Sequence, residues 1–452
     1  MGVLMQAFYW NCPQIDNQVS TWWNFVSSKI PDLQQAGFTA LWLPPATKAA
    51  ETTSMGYDVY DYYDLGSLNQ KGGTATWFGT AAQLTSLITA AHAAKMEVYA
   101  DLVLHQNSGA DAEEVNPIDG VSRWTKFNPL SGKFPRTYLD FQPAVYETME
   151  GLDPINFGGM PNLCHRTPEV YTALLNYAVW LMDEIGYDGF RYDCVRGYGA
   201  WMVRAIQELM GLDQNNPYQP FGVAECWDSQ YTIQEWMNEC NSWSDNPCAA
   251  FDFNLRAILK NICDTYGYSL TNLTQGGAIS GSILASNPAL AVTFAENHDL
   301  DNPDSSTYDP IINDKMMAYS FILTHQGYPC VFWQDYYNYD LAQEGNNSGI
   351  AGLVYLHEQY AGGDMDILYC DDNLYIMQRT GWQGQKGLVY VLNNLGSWNG
   401  ASVQTQWVNT TFTPLAWRGH DNADVPEAKQ TDGQGNGDFW APPRGYAVYV
   451  PG

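Results

Sequence analysis

Four acids stand at the ends of apolar, β-branched runs: Asp101 in YADLVLHQ, Asp193 in GFRYD, Glu225 in FGVAEC and Asp299 in FAENHD. Arg191 lies two residues before Asp193, and His298 lies next to Asp299. Residues two apart on a strand share a face, so Arg191 and Asp193 point the same way. Converging carboxylates with an arginine suit double displacement at an acetal carbon. One acid stays ionised and attacks, and another arrives protonated and gives its proton to the leaving oxygen. A neighbouring arginine favours the ionised form of the first, while a second carboxylate and partial burial favour the protonated form of the other. A single strand-end acid is as readily a helix cap or a loop salt bridge, but four on different strands are poorly explained that way. A metal hydrolase fares worse, because the seven His include no H-E-x-x-H and no pair at metal-ligand spacing.

Those acids need a scaffold that brings strand ends together. Eight strand-like runs occur, at residues 3–8, 40–45, 97–104, 189–193, 221–226, 249–254, 290–297 and 329–333. Amphipathic stretches at 22–35, 80–94, 168–185, 198–210 and 314–325 lie between them. Nearly continuous apolar strands that alternate with helices predict a parallel sheet covered on both faces. Eight such units predict an α/β fold, the (β/α)8 barrel, whose C-terminal strand ends form the active face. The span 105–166 is far longer than the usual connection of about 2–6 residues and is read as an inserted domain. After residue 362, runs such as LYIMQRT, GLVYVLNN and GYAVYV alternate without helices, which predicts a C-terminal antiparallel β-domain. The expected organisation is thus barrel 1–104, insertion 105–166, barrel 167–362 and β-domain 363–452.

The composition narrows the partners. The chain has 452 residues, is 45% hydrophobic and carries a formal charge of −29, so it is expected to repel nucleic acid and anionic membranes. No run of about 18 apolar residues occurs, so no membrane-spanning helix is expected. Aromatics make up 14%, an excess that fits rings stacking on sugar faces. The nine Cys form no C-x-x-C pair, and Cys240 and Cys248 flank a short polar loop that a bridge would suit. No leader precedes GVLMQAFYW, which leaves two expectations, a cytoplasmic protein or a chain starting at its mature N-terminus.

These residues resemble an α-amylase of glycoside hydrolase family 13, of its archaeal and plant-like branch. The segments MQAFYW, LWLPPATK, SMGYDVYDYYDLG, GFRYDCVRGYGAW, GVAECWD and AVTFAENHD occur in the family's order and span essentially the whole chain. The resemblance implies an endo-acting retaining hydrolase of internal α-1,4-glucosidic bonds. It makes Asp193 the nucleophile, Glu225 the general acid/base and Asp299 the third carboxylate. Asp101 supports this acid cluster, Arg191 orients Asp193, His298 contacts the same sugar and Tyr57 stacks on it. Arg196, Gly197 and Tyr198 replace the family's K-G-Y on the leaving-group side, and Trp227 packs against the sugar chain or the barrel rim. A maltooligosaccharide-forming enzyme or a transglycosylase would use the same acids, and a non-catalytic glucan-binding barrel is the remote alternative. Starch, glycogen and maltooligosaccharides are the implied partners of a monomer. Because starch is extracellular, a secreted enzyme is expected ahead of a cytoplasmic one.

One motif departs from the pattern. Where the family reads D-x-V-x-N-H, this chain reads Asp101-Leu102-Val103-Leu104-His105-Gln106. His105 stands where the family has a calcium ligand, and Gln106 stands where it has a substrate contact. Asp153 matches a second calcium ligand, Asn162 stands where an Asp is expected, and Gly197 would add a carbonyl. Calcium takes hard oxygen ligands and gains affinity from carboxylates, so calcium is expected to be weak or absent, with a His105–Asp153 pair in its place. Cys164-His165 echoes a zinc pair of some relatives, but two ligands are too few to close a tetrahedral site. No organic cofactor is implied.

Overall fold

The computed structural model describes residues 2–13, 21–146, 157–211, 219–274, 281–343, 349–421 and 423–452. Eight short parallel strands close a barrel in chain order: β1 (Leu4–Gln6), β2 (Ala40–Trp42), β3 (Glu97–Leu102), β4 (Gly189–Tyr192), β5 (Phe221–Ala224), β6 (Ala249–Phe251), β7 (Ala291–Phe294) and β8 (Tyr328–Phe332). Their residues are almost all buried, as strands covered on both faces must be. Each predicted run forms a strand, but most are shorter than expected. β4 stops at Tyr192 and β5 at Ala224, so Asp193 and Glu225 stand one residue past the ladder. The run 249–254 is strand only to Phe251; Asp252 instead caps the helix Phe253–Asp264 by accepting from Leu255 N.

The chain forms two compact units. The first comprises Trp10–Asp32 and Ala40–Phe251 and holds β2 to β6. Its register sets Asp101 beside Arg191, and Arg191 beside Val223. Thr80 and Gln83 cap each other at the start of the helix Ala81–Ala93, a reciprocal bond that satisfies two end N–H groups. The predicted helix 168–185 is regular over Pro168–Trp180 and widens into a π turn over Leu181–Ile185. Gly186 ends it at φ 95°, a conformation that suits glycine. The described part of 105–166 holds a hairpin, Ala112–Val115 with Ser122–Lys126, and a 3-10 turn at Tyr138–Asp140. The buried Arg136 guanidinium lies 4.4 Å from the Phe127 ring centre and donates to the Tyr60 carbonyl. Cys240 and Cys248 are buried free thiols, so the bridge raised for them is not formed.

The second unit comprises Met1–Tyr9, Leu33–Thr39 and Asp252–Gly452. It holds β1, β7 and β8, with the registers Leu4–Cys330 and Phe294–Cys330. It also holds a six-stranded antiparallel sheet in the order Met365–Cys370, Leu374–Arg379, Leu388–Asn393, Gly445–Pro451, Thr411–Arg418 and Lys429–Gln430. Ile376, Val391, Phe412 and Tyr449 of that sheet share one core with Phe439 of the paired strands Asn399–Gln404 and Asn436–Ala441. On its other side, Tyr375 meets His325 at 3.0 Å and Tyr390 meets Ser320 at 2.9 Å, tying the sheet to the helix Lys315–Ile322 and the turn after it. No described helix is long and apolar enough to cross a membrane.

Candidate active site

Arg191, on β4, is 1% exposed and holds three carboxylates at once. Its Nη1 lies 2.8 Å from Asp101 Oδ1 and 2.6 Å from Asp193 Oδ1, and its Nη2 lies 2.7 Å from Glu225 Oε2. The three acids come from the ends of β3, β4 and β5, and the parallel register brings those ends level. Asp193 N donates to Leu102 O and Glu225 N to Tyr192 O, both at 3.0 Å, so each acid is fixed to the neighbouring strand by its own backbone. Burial alone would pull the guanidinium down, but the three carboxylates outweigh it and Arg191 stays charged. Burial pushes the Asp101 carboxyl above the usual range; Arg191 opposes the rise and Asp193 adds to it.

The surrounding groups orient these acids. Trp42 Nε1 and Tyr57 OH each donate to Asp101 Oδ2 at 3.0 Å. Cys194 adopts φ 43° directly after Asp193, and its N donates to Glu225 Oε2 at 2.9 Å. Burial pushes the Cys194 thiol far up, so it is protonated and not a nucleophile. Tyr57 is stacked on Trp10, with ring centres 5.7 Å apart and planes 17° apart. Arg196 donates to the Trp227 carbonyl at 3.0 Å and pairs with Asp228 at 3.2 Å. Tyr198 OH donates to the Asp193 carbonyl at 3.3 Å, and its ring stacks on His165. Gln106 is buried and donates to the Tyr57 carbonyl at 2.9 Å.

In the second unit, His298 Nδ1 meets Gln6 Nε2 at 2.9 Å, and its Nε2 lies 3.5 Å from Asp299 Oδ2. The amide must donate there, which puts the ring proton on Nε2, facing Asp299. Asn297 Oδ1 accepts from the N of Asp299 and of Leu300, fixing the loop after β7.

Of the residues singled out in the sequence, Tyr57, Asp101, Gln106, Arg191, Asp193, Arg196, Gly197, Tyr198, Glu225 and Trp227 belong to the first unit. Asp101, Arg191, Asp193 and Glu225 touch through one guanidinium, and Tyr57 reaches them through Asp101. Gln106 is engaged with the Tyr57 main chain. Sequence reasoning passed over Trp42, Gln6, Trp10 and the Cys194 amide. Trp42 and Gln6 are the last residues of β2 and β1, and asking what side chain ends every barrel strand would have found both.

Asp153 lies outside the described residues, and the expected His105–Asp153 pair lies there with it. The rest of the implied calcium set can be tested against this structure. Gln106 and Asn162 form an isolated bridge, and a Cβ on Gly197 would stand 2.5 Å from His105 Nδ1, so the imidazole lies against that glycine. His105 Nδ1 is buried without a hydrogen-bond partner among the described residues. Burial, with His165 nearby, pushes the imidazole down to about 3, so it is neutral near pH 7. A neutral ring nitrogen is a poor donor to a hard cation that takes six to eight oxygens, whereas the Asn162 amide oxygen and the Gly197 carbonyl are ordinary ones. No group of three or more His, Cys, Asp or Glu among the described residues is placed to hold a metal ion. The His105 side chain thus offers calcium no oxygen. His165 Nε2 is engaged with the Leu104 carbonyl at 2.9 Å.

Comparison with known proteins places this geometry in context. A family model described as "Alpha amylase, catalytic domain" matches residues 16–343. An α-amylase of Geobacillus stearothermophilus is 34% identical over 74% of this chain and 66% of its own length, so the chain spans just under two thirds of that relative. A glucan 1,4-alpha-maltohexaosidase of Bacillus sp. (strain 707) is 30% identical over 84% of this chain and 79% of its own. "Probable alpha-amylase 2" of Arabidopsis thaliana is 27% identical over 82% and 84%. Among solved structures, an α-amylase from Geobacillus thermoleovorans, complexed with acarbose, aligns at TM-score 0.66 and 17% identity over 100% of this chain and 98% of its own. A cyclomaltodextrin glucanotransferase with a three-domain ABC distribution aligns at TM-score 0.69 and 19% identity over 99% of each chain. At these identities the two structures speak to the fold alone.

Proposed function

The chain belongs to the α-amylase catalytic-domain family of glycoside hydrolases, and from that premise we propose that it cleaves internal α-1,4-glucosidic bonds of starch-like glucans with retention at the anomeric carbon. The observation that supports this best is the Arg191 guanidinium holding Asp101, Asp193 and Glu225 together. Asp193 and Glu225 sit on adjacent nitrogens of one planar group, a close spacing of the kind double displacement requires.

In the first step the Asp193 carboxylate forms a bond to the anomeric carbon as the glycosidic C–O bond breaks. Glu225, protonated, passes its proton to the departing oxygen. In the second step a water attacks the same carbon and gives its proton to Glu225, and the bond to Asp193 breaks. Arg191 aims Asp193, and Asp101, anchored by Trp42 and Tyr57, holds Arg191 in turn. The paired rings of Tyr57 and Trp10 offer a flat face to a sugar. Arg196, Gly197 and Tyr198 serve the leaving-group side, with Trp227 beside them, and Gln106 acts through Tyr57. By motif, Asp299 is the third carboxylate, which holds sugar hydroxyls, and His298 contacts the same ring. Calcium is read as weak or absent at the family's usual site, and neither step is routed through it. We place it outside the cell as a monomer acting on starch and maltooligosaccharides; a relative named "Cytoplasmic alpha-amylase", of Escherichia coli, keeps cytoplasmic glycogen as a second setting.

A second reading, release of maltooligosaccharides of fixed length, draws support from the maltohexaosidase relative. One digest of soluble starch, run with and without EDTA and followed by product sizing, tests all of this. A broad, shrinking distribution that is insensitive to chelator is expected. One dominant oligosaccharide from the start replaces the endo reading with the second one. A large loss of rate or of thermal midpoint with EDTA refutes the calcium-free account.

A further inference from the structure

The second unit contains a pocket of about 290 Å3. Pro288 and Gln326, which precede β7 and β8, form one wall; Arg379, Trp382 and Gln385, at the end of the strand Leu374–Arg379 and in the turn after it, form another. It therefore opens at the N-terminal ends of β7 and β8, whereas Asp299 follows the C-terminal end of β7.

Two features of this pocket call for a ligand. Trp382 is 62% exposed, a large apolar ring left in water. Its turn is firmly built: Gln385 N donates to Trp382 O at 2.9 Å, and the Gln385 amide donates to the Glu358 carbonyl at 2.7 Å. The backbone that carries the indole is thus fixed, which lowers the ordering cost of binding. Arg379, by contrast, is 6% exposed. Its Nε and Nη2 donate to the Gly363 carbonyl and its Nη1 to the Thr324 carbonyl, which leaves one N–H on each Nη. Among the described residues it forms no ion pair, and Asp364 acts on it only at longer range. A buried guanidinium with spare donors is costly unless polar atoms meet them.

A guanidinium alone would suit an oxyanion. However, the net charge of −29 repels anions, and an indole beside hydrogen-bond donors matches the apolar face and hydroxyl rim of a pyranose. We propose that this pocket is a second glucan-binding site, separate from the site of hydrolysis, which seats a glucose unit of an α-glucan between the Trp382 ring and the Arg379 guanidinium. It takes its ligand class from the proposed substrate. Such a site tethers polymer and leaves the cleavage of short substrates alone.

The test uses the full chain with Asp193→Asn, so that glucan is not consumed, and measures its retardation by soluble starch in native gels. Adding Trp382→Ala is expected to raise the apparent dissociation constant about tenfold, the equivalent of ~1.4 kcal/mol. Arg379→Lys, which keeps the charge and loses the fork, is expected to weaken retention too. In the otherwise natural chain, Trp382→Ala leaves kcat/KM on maltoheptaose unchanged. Retardation untouched by Trp382→Ala overturns the proposal, as does calorimetric binding of inorganic phosphate that Arg379→Lys abolishes. Failure of the hydrolysis reading would appear separately, as no cleavage of maltoheptaose by the natural chain.

Discussion

Arg191 couples every acid of the first unit's cluster, and its shape matters as much as its charge. Its two terminal nitrogens serve three carboxylates at 2.6 to 2.8 Å, which a single ammonium cannot reproduce. Arg191→Lys is therefore expected to cut kcat on starch by on the order of 10²-fold, the effect of a misplaced reacting group, with a smaller change in KM. A near-natural kcat would show that the fork does not position Asp193. Much of this cluster was legible in the sequence. Arg191 and Asp193 share a strand face by spacing, and the acids sit where apolar runs stop. Trp42 was not legible as an anchor of Asp101, because that bond joins residues 59 apart in the chain and depends on the pairing of β2 with β3. The Cys194 amide escaped for another reason: its bond to Glu225 follows from a left-handed backbone that the residue type does not announce.

Among the elements, the strands were foreseeable because both faces are buried and most read as nearly continuous apolar runs. Their ends were not, because caps compete with strands for the same residues. Asp252 shows this. It looked like part of a strand, yet its two oxygens accept from Leu255 N at 3.1 Å and Leu284 N at 2.8 Å, holding two helix starts. Burial raises its carboxyl from 3.8 to about 6, against the pull of these backbone N–H groups. The folded chain thus keeps a proton that the unfolded chain releases between about pH 4 and 6. Its stabilising contribution is full below pH 4 and is lost as the pH rises through 6. The thermal midpoint of Asp252→Asn, less that of the natural chain, should accordingly shift in favour of the variant between pH 4 and pH 7. A difference that stays constant over that range would contradict the assignment.

For the whole molecule, 49 acidic against 20 basic residues leave a strong self-repulsion. Salt shortens the Debye length from about 30 Å at 0.01 M to about 3 Å at 1 M, so the thermal midpoint is expected to rise over that range of NaCl; a midpoint that falls would show that attractive pairs dominate instead. The same charge disfavours nucleic acid and anionic surfaces and leaves a neutral polyol as a tolerated ligand. On this view the chain is a glucan hydrolase whose chemistry depends on Asp193 as nucleophile. The most direct check is the rate of reducing-end release from soluble starch by Asp193→Asn beside the natural chain. A loss of more than about 10³-fold in kcat, at an unchanged thermal midpoint, is the expected result, because removing a covalent nucleophile abolishes both steps. Near-natural hydrolysis by Asp193→Asn would contradict it.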